Sequence, residues 1–75
     1  MLAFVLIALR ECDETEVMEH LANMKEVKEV HILFGEWDLI AKLEIKDADE
    51  LATFVMKKIR TMQEIKVTST MIAAK

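Results

Sequence analysis

The chain has 75 residues, 53% of them hydrophobic, a formal net charge of −4 and one cysteine. That length holds a single domain, and a lone cysteine excludes an intrachain disulfide, a paired-cysteine zinc site and a redox pair. An acidic balance argues against general nucleic-acid binding, which needs a cationic surface facing phosphates.

Residues 1–9 are apolar throughout and then meet Arg10, Glu11 and Asp13. They lack the basic leader and small-residue cleavage site of a signal peptide. They also fall far short of the roughly 20 residues that span a bilayer. They are predicted to form a strand over 2–10, with Ala3, Val5, Ile7 and Leu9 on one face and Leu2, Phe4, Leu6 and Ala8 on the other. A first helix follows, with Val17, Met18, Leu21 and Met24 on one side; Asp13 and Glu16 supply a capping-box variant at its start. Val30, Ile32 and Phe34 recur with period two in a strand over 28–34, and Leu39, Ala41, Leu43 and Ile45 do the same over 38–46. Between them lies Phe34-Gly35-Glu36-Trp37-Asp38, which contains the only glycine and the only tryptophan. Gly35 is where the chain can reverse. Asp47 and Glu50 cap a second helix carrying Leu51, Phe54, Val55, Ile59 and Met62, and a last strand over 65–73 contains Thr68, Ser69 and Thr70. Lys57, Lys58, Arg60 and Lys66 form the one basic cluster, read as a solvated face.

An internal repeat organises these elements. Val17, Met18, Met24, Glu26 and Lys28 recur 38 residues later as Val55, Met56, Met62, Glu64 and Lys66, with Leu21 and Val27 replaced conservatively by Ile59 and Ile65. Each copy reads as helix end, turn and strand entry, so the chain divides into two β-α-β halves joined at the Gly35 hairpin. The expected fold is α+β, a ferredoxin-like β-α-β-β-α-β sandwich with a four-stranded antiparallel sheet and two helices on one face. The cap pairs are 34 apart and the helix ends 38, so the second helix is expected to be about one turn longer. In this topology the first strand is central, and its second apolar face stays exposed unless another chain covers it. A face-to-face homodimer is the simplest closed arrangement.

Cys12, His20 and His31 do not fall into a ligand spacing, and no acid-base partner is fixed by proximity. The six methionines are read as filling core phases of the helices or strand ends. Glu36 and Asp38 are close enough for a carboxylate pair, yet nothing nearby marks one as an acid and the other as a base. The expectation is a binding module with no catalytic residue, metal or cofactor. At the turn, the simplest role for Trp37 is packing and for Asp38 a hydrogen bond to local backbone. A reducing, cytoplasmic setting fits the cysteine usage.

Gly35-Glu36-Trp37-Asp38-Leu39 after an apolar strand, Met62-Gln63-Glu64-Ile65 before the last strand, and Thr68-Ser69-Thr70-Met71-Ile72 within it resemble the effector (RAM) domain of the Lrp/AsnC transcription regulators. The resemblance covers essentially residues 1–75. Because the first strand starts at Met1, the chain resembles the stand-alone RAM proteins, without a DNA-binding helix-turn-helix and without direct nucleic-acid contact. The resemblance implies dimers (the dimeric αβ-barrel), their assembly into octamer- or decamer-like rings, co-assembly with full-length regulators, and a small effector, usually an amino acid, held between dimers. It places the ligand-binding role on Gly35, Glu36, Trp37 and Asp38 and on Thr68, Ser69 and Thr70. Asp38 would pair with an α-ammonium, and turn N–H groups and strand hydroxyls would donate to the carboxylate. Trp37 stands where tyrosine is frequent in that family, which removes a hydroxyl donor. Two alternatives remain: a small αβ-barrel enzyme of the cofactor-independent oxygenase or heme-degrading type, using His31 as the one imidazole on a strand, or a purely structural assembly partner.

Overall fold

A computed structural model describes all 75 residues. The elements run β1 (Leu2–Leu9), α1 (Glu14–Ala22), β2 (Val27–Ile32), β3 (Leu39–Glu44), α2 (Ala48–Phe54, prolonged by a π-helical segment, Val55–Ile59) and β4 (Ile65–Ile72). The sheet order is β2-β3-β1-β4, with every neighbouring pair antiparallel. Ala3, Val5 and Ile7 of β1 and Leu39, Ala41 and Leu43 of β3 are wholly inaccessible, packed in one cluster with Val17 and Leu21 of α1 and Leu51 and Phe54 of α2. Both helices therefore cover the same sheet face. All fifteen buried residues are apolar, so the core needs no polar partner; each large side chain in it gains about 1.5–3 kcal/mol over an exposed one.

The repeat is visible in the hydrogen bonds. Met24 N–H donates to Leu21 O and Val27 N–H to Met24 O; in the second half Met62 N–H donates to Ile59 O and Ile65 N–H to Met62 O. Each strand then opens with an irregularity in pairing. The register skips from Val27 to Glu29 in β2 and from Ile65 to Val67 in β4, leaving Lys28 and Lys66 as the unpaired bulge residues. A bulge lets both Val27 and Val30 face the helices, although they are three apart.

Asp13 caps α1 by accepting from the N–H groups of Thr15 and Glu16. At α2 Asp47 accepts from Glu50 N–H, and the Glu50 carboxylate reaches back past the cap to accept from Lys46 N–H, a displaced form of the capping box. Seven α-helical residues plus five π-helical ones, against nine in α1, deliver the expected extra turn. Its wide pitch is seen in the Arg60 N–H bond to Val55 O at 2.8 Å.

Strand ends differ from expectation by one or two residues, and two differences matter. Phe34 is not the last inward residue of β2. Pairing stops at Ile32 opposite Leu39, and the Phe34 side chain is wholly exposed, because the chain leaves the ladder and loops back at Asp38. Nor do all six methionines fill core phases. Met56 lies 62% exposed, since the buried stripe of α2 and its π-helical extension runs through Leu51, Phe54, Val55 and Ile59.

The outer face of the sheet carries no helix. Leu2, Phe4, Leu6 and Ala8 alternate onto it and are half-buried only by one another and by strand neighbours. Register adds Ile40 beside Leu6, Met71 beside Phe4 and Val67 beside Ala8. Val67 and Met71 are 50% and 42% exposed. Glu44 beside Leu2, Lys42 beside Phe4 and Ser69 beside Leu6 interrupt this face, so its apolar area is a stripe along β1 with Ile40, Val67 and Met71; exposed apolar patches larger than ordinary are characteristic of contact surfaces.

Candidate functional site

The connection from Leu33 to Asp38 is closed by the Leu33 N–H bond to Asp38 O at 2.8 Å. Gly35 takes φ +150°, and a side chain there would meet no atom within 4 Å, so the requirement for glycine is one of backbone geometry alone. Asp38 is the anchor. Its N–H donates to Ile7 O at 2.9 Å, and its Oδ2 accepts from Leu9 N–H at 2.7 Å. The side chain thus continues the β1–β3 ladder for one more bond after the β3 backbone has turned away. Leu9 N–H is the only protein donor on this carboxylate. Asp38 also lines a cleft of about 230 Å³ with Leu9, Arg10, Glu11, Cys12 and Glu14. Trp37 is half-buried, and Gly35 and Glu36 are exposed.

The hydroxyl strand lies across β1 from this turn. Thr68, Ser69 and Thr70 pair with Ile7, Leu6 and Val5. Alternation puts Thr68 and Thr70 on the helix side and Ser69 on the helix-free side. Asp38 and Thr68 flank Ile7 from opposite sides, two strand spacings or about 10 Å apart. In one chain they do not close around a common small ligand. Thr68 opens on a cleft of about 400 Å³ with Arg10, Arg60 and Lys66. Thr70 opens on an apolar groove of about 230 Å³ formed with Ala48, Leu51, Ala52, Val55 and Met56.

Arg10 was not singled out by sequence, although a cation directly after a wholly apolar strand is the available signal. Its guanidinium donates to Gln63 O at 2.9 Å and to Ile65 O, and its N–H donates to Glu64 O at 2.8 Å. It ties the end of β1 to the start of β4.

Cys12 and His20, distant by spacing, share a cleft of about 260 Å³ with Asp13, Glu16, Val17, Met62 and Glu64. No three of the His, Cys, Asp and Glu side chains are arranged to hold a metal ion. Although Cys12 is exposed, partial shielding of the thiol from water first, and then the carboxylates of Glu64, Asp13, Asp38 and Glu14, push its pKa up, away from the thiolate form a nucleophile needs. His31 stands on β2 in register with Ile40, on the helix-free face, 3.9 Å from Glu29 and with its side chain 64% exposed. It does not look into a space between sheet and helices.

Residues 2–75 match the family model described as the Lrp/AsnC ligand binding domain. Among curated proteins, an uncharacterized HTH-type transcriptional regulator of Pyrococcus furiosus is 36% identical over 74 residues, which cover 95% of this chain and 49% of that protein. The chain spans about half the length of the curated relatives it matches. Among solved structures, FFRP-DM1 superposes with a TM-score of 0.91 at 49% identity, covering 96% of each chain. The transcriptional regulator NMB0573 of Neisseria meningitidis, solved as an L-Met complex, superposes at 0.87 over 99% of this chain and 49% of that one; at 17% identity it attests to the fold alone.

Proposed function

The chain belongs to the Lrp/AsnC ligand-binding-domain family, and from that membership we propose that it is an amino-acid-sensing and oligomerisation module of transcription control. In this reading two copies join through the helix-free sheet face, dimers associate further, and the effector sits where they meet. Asp38 receives the effector's ammonium while still holding Leu9 N–H, because a carboxylate accepts more than one donor. Turn N–H groups around Gly35, with Glu36 and Trp37 at the rim, and the hydroxyls of Thr68 and Thr70 serve the carboxylate end. Ser69, on the other face, contributes across the dimer instead. Co-assembly with full-length regulators of the family, in the cytoplasm, completes the proposed role.

The observation that carries this reading is the correspondence of residues 2–75 to a ligand-binding domain, and the uncovered apolar face supports it. NMB0573 with bound L-Met supplies a precedent for the ligand class on the same fold. The position of His31 on the helix-free face favours a regulatory module over a sheet-and-helix enzyme site. Thermal denaturation against each of the twenty amino acids tests the proposal. A true effector at a hundredfold excess over Kd stabilises the folded state by about 2.7 kcal/mol. If none raises the melting temperature at millimolar concentration, amino-acid sensing is wrong for this chain.

A further inference from the structure

The two copies of the internal repeat carry different charges at equivalent places, and the difference gathers on one cleft. Glu44 N–H donates to Glu26 O just as Arg10 N–H donates to Glu64 O, so Glu44 and Arg10 hold equivalent positions. The 38-residue offset sets Ala22 against Arg60 and Lys28 against Lys66. One turn is thus built with an acid and an alanine where the other has two arginines, so the backbone itself does not call for them. Arg10, Arg60 and Lys66 all line the cleft of about 400 Å³ beside β4, and no aspartate or glutamate lines it. It is larger than the other three clefts, at about 260, 230 and 230 Å³. Such sorting stands out in a chain with 14 acidic and 10 basic residues. Across Met62, which walls both, the neighbouring cleft has the opposite sign, with Asp13, Glu16 and Glu64 and no lysine or arginine.

These cations are available to a ligand. The chain's ion pairs join Glu44 to the amino terminus and Glu29 to Lys42 and His31, so none of the three has a carboxylate partner. Arg10 is also held in place: Nη1 donates to Gln63 O and Ile65 O, which leaves its Nε and Nη2 donors free to point elsewhere. Carbonyls at the end of a helix oppose an anion, but Gln63 O, in the turn after the helix, already faces this guanidinium. We propose that the cleft binds the phosphate group of a small ligand, at a site separate from the proposed effector contacts. Guanidinium and ammonium groups are common partners of phosphate oxygens, and a dianion meets three of them here. An amino acid lying in the cleft would turn its ammonium toward these cations with no carboxylate to receive it. A cavity of about 150 Å³ already holds benzene, so the space admits the organic part of a phosphoester as well as the phosphate. A nucleic-acid strand fits poorly, because its affinity grows with the number of phosphates contacted, and the surface beyond Met62 is acidic.

Nuclear magnetic resonance titration of the isotope-labelled full chain tests the site, with inorganic phosphate, adenosine monophosphate and adenosine added in turn at constant ionic strength. Both phosphates at millimolar concentration are expected to shift the amide signals of Thr61, Gln63 and Lys66 saturably, and adenosine to shift none of them. Arg60→Ala and Lys66→Ala are each expected to weaken binding about tenfold and to keep the parent's circular dichroism, since both side chains are exposed. Tighter binding of adenosine monophosphate than of phosphate gives the source as a phosphoester; the reverse order gives it as the free ion. Three results overturn the site: no saturable shift with either phosphate, the same shifts from adenosine or from sodium chloride at matched ionic strength, or binding that both substitutions leave unchanged. The outcome is independent of the amino-acid screen, because Arg60 and Lys66 take no part in the proposed effector contacts.

Discussion

Replacing Asp38 separates its scaffold role from its proposed ligand role. The carboxylate accepts from Leu9 N–H at 2.7 Å in a partly buried position, and hydrogen bonds to charged groups contribute about 1.5–3 kcal/mol. Asp38→Ala removes the acceptor and leaves the Leu9 donor without a partner, so a loss of about 2 kcal/mol is expected. For a domain of this size, 1 kcal/mol moves the melting temperature by roughly 4–8 °C. Asp38→Ala should therefore melt on the order of 10 °C below the parent. Asp38→Asn keeps a side-chain oxygen for Leu9 and should lose about half as much, yet it offers no charge to an ammonium group. Circular dichroism melts with and without each amino acid read both effects. Should Asp38→Ala melt with the parent, the Leu9 bond contributes nothing and the anchor role is wrong. An Asp38→Asn protein that an amino acid still stabilises as fully as it does the parent would refute the ammonium pairing.

Gly35→Val forces a β-branched residue to φ +150°, and such backbone strain costs on the order of 1–3 kcal/mol. Urea denaturation should show that loss with or without ligand. Phe4→Glu puts a carboxylate in the middle of the helix-free face and should shift the species seen by light scattering to the 8.7 kDa monomer; an unchanged mass would place the dimer contact elsewhere. The raised Cys12 pKa favours the neutral thiol, so iodoacetamide alkylation at pH 7 should run slower than for a free thiol and accelerate only above the ordinary cysteine pKa. Glu64→Gln removes the foremost of the carboxylate charges that raise it and should move the pH midpoint down. At physiological salt the 75-residue chain, with its charge of −4, should show no sequence-specific shift of DNA in the presence of competitor.

The architecture was legible where a physical rule works over short separations. An unbroken apolar run located β1 and period-two alternation located β3, the Asp47–Glu50 pair marked a helix start that the hydrogen bonds reproduce, and the 38-residue repeat foresaw matching turns. What the repeat also encodes, Lys28 and Lys66 as bulges, requires knowing which residues pair across strands. Phe34 followed the alternation of Val30 and Ile32, but the end of a strand is set by its partner, and β3 begins too late to hold it. For Asp38 the local-backbone role and the family-implied ligand role both stood in the sequence reading. Only the placement of Leu9, 29 residues away in sequence, shows that the first is filled. The meeting of Cys12 with Glu64 and the anchoring of Gln63 by Arg10 likewise depend on long-range placement that no spacing rule contains.

The central position of β1 has a kinetic consequence. Its partners are Leu39 to Glu44 and Ile65 to Ile72, so the most apolar segment is made first and finds its second neighbour only when nearly the whole chain exists. The β2–β3 hairpin closes a far shorter loop and is the natural early structure. Until β4 arrives, one edge of β1 stays open in a segment with no charge to discourage pairing with other chains. Pulsed hydrogen exchange during refolding should then protect the His31 and Ile40 amides, which pair across the hairpin, before those of Phe4 and Met71, which pair β1 with β4. Simultaneous protection would mean that the central strand is locked as soon as the hairpin is, and that its exposure during synthesis is brief.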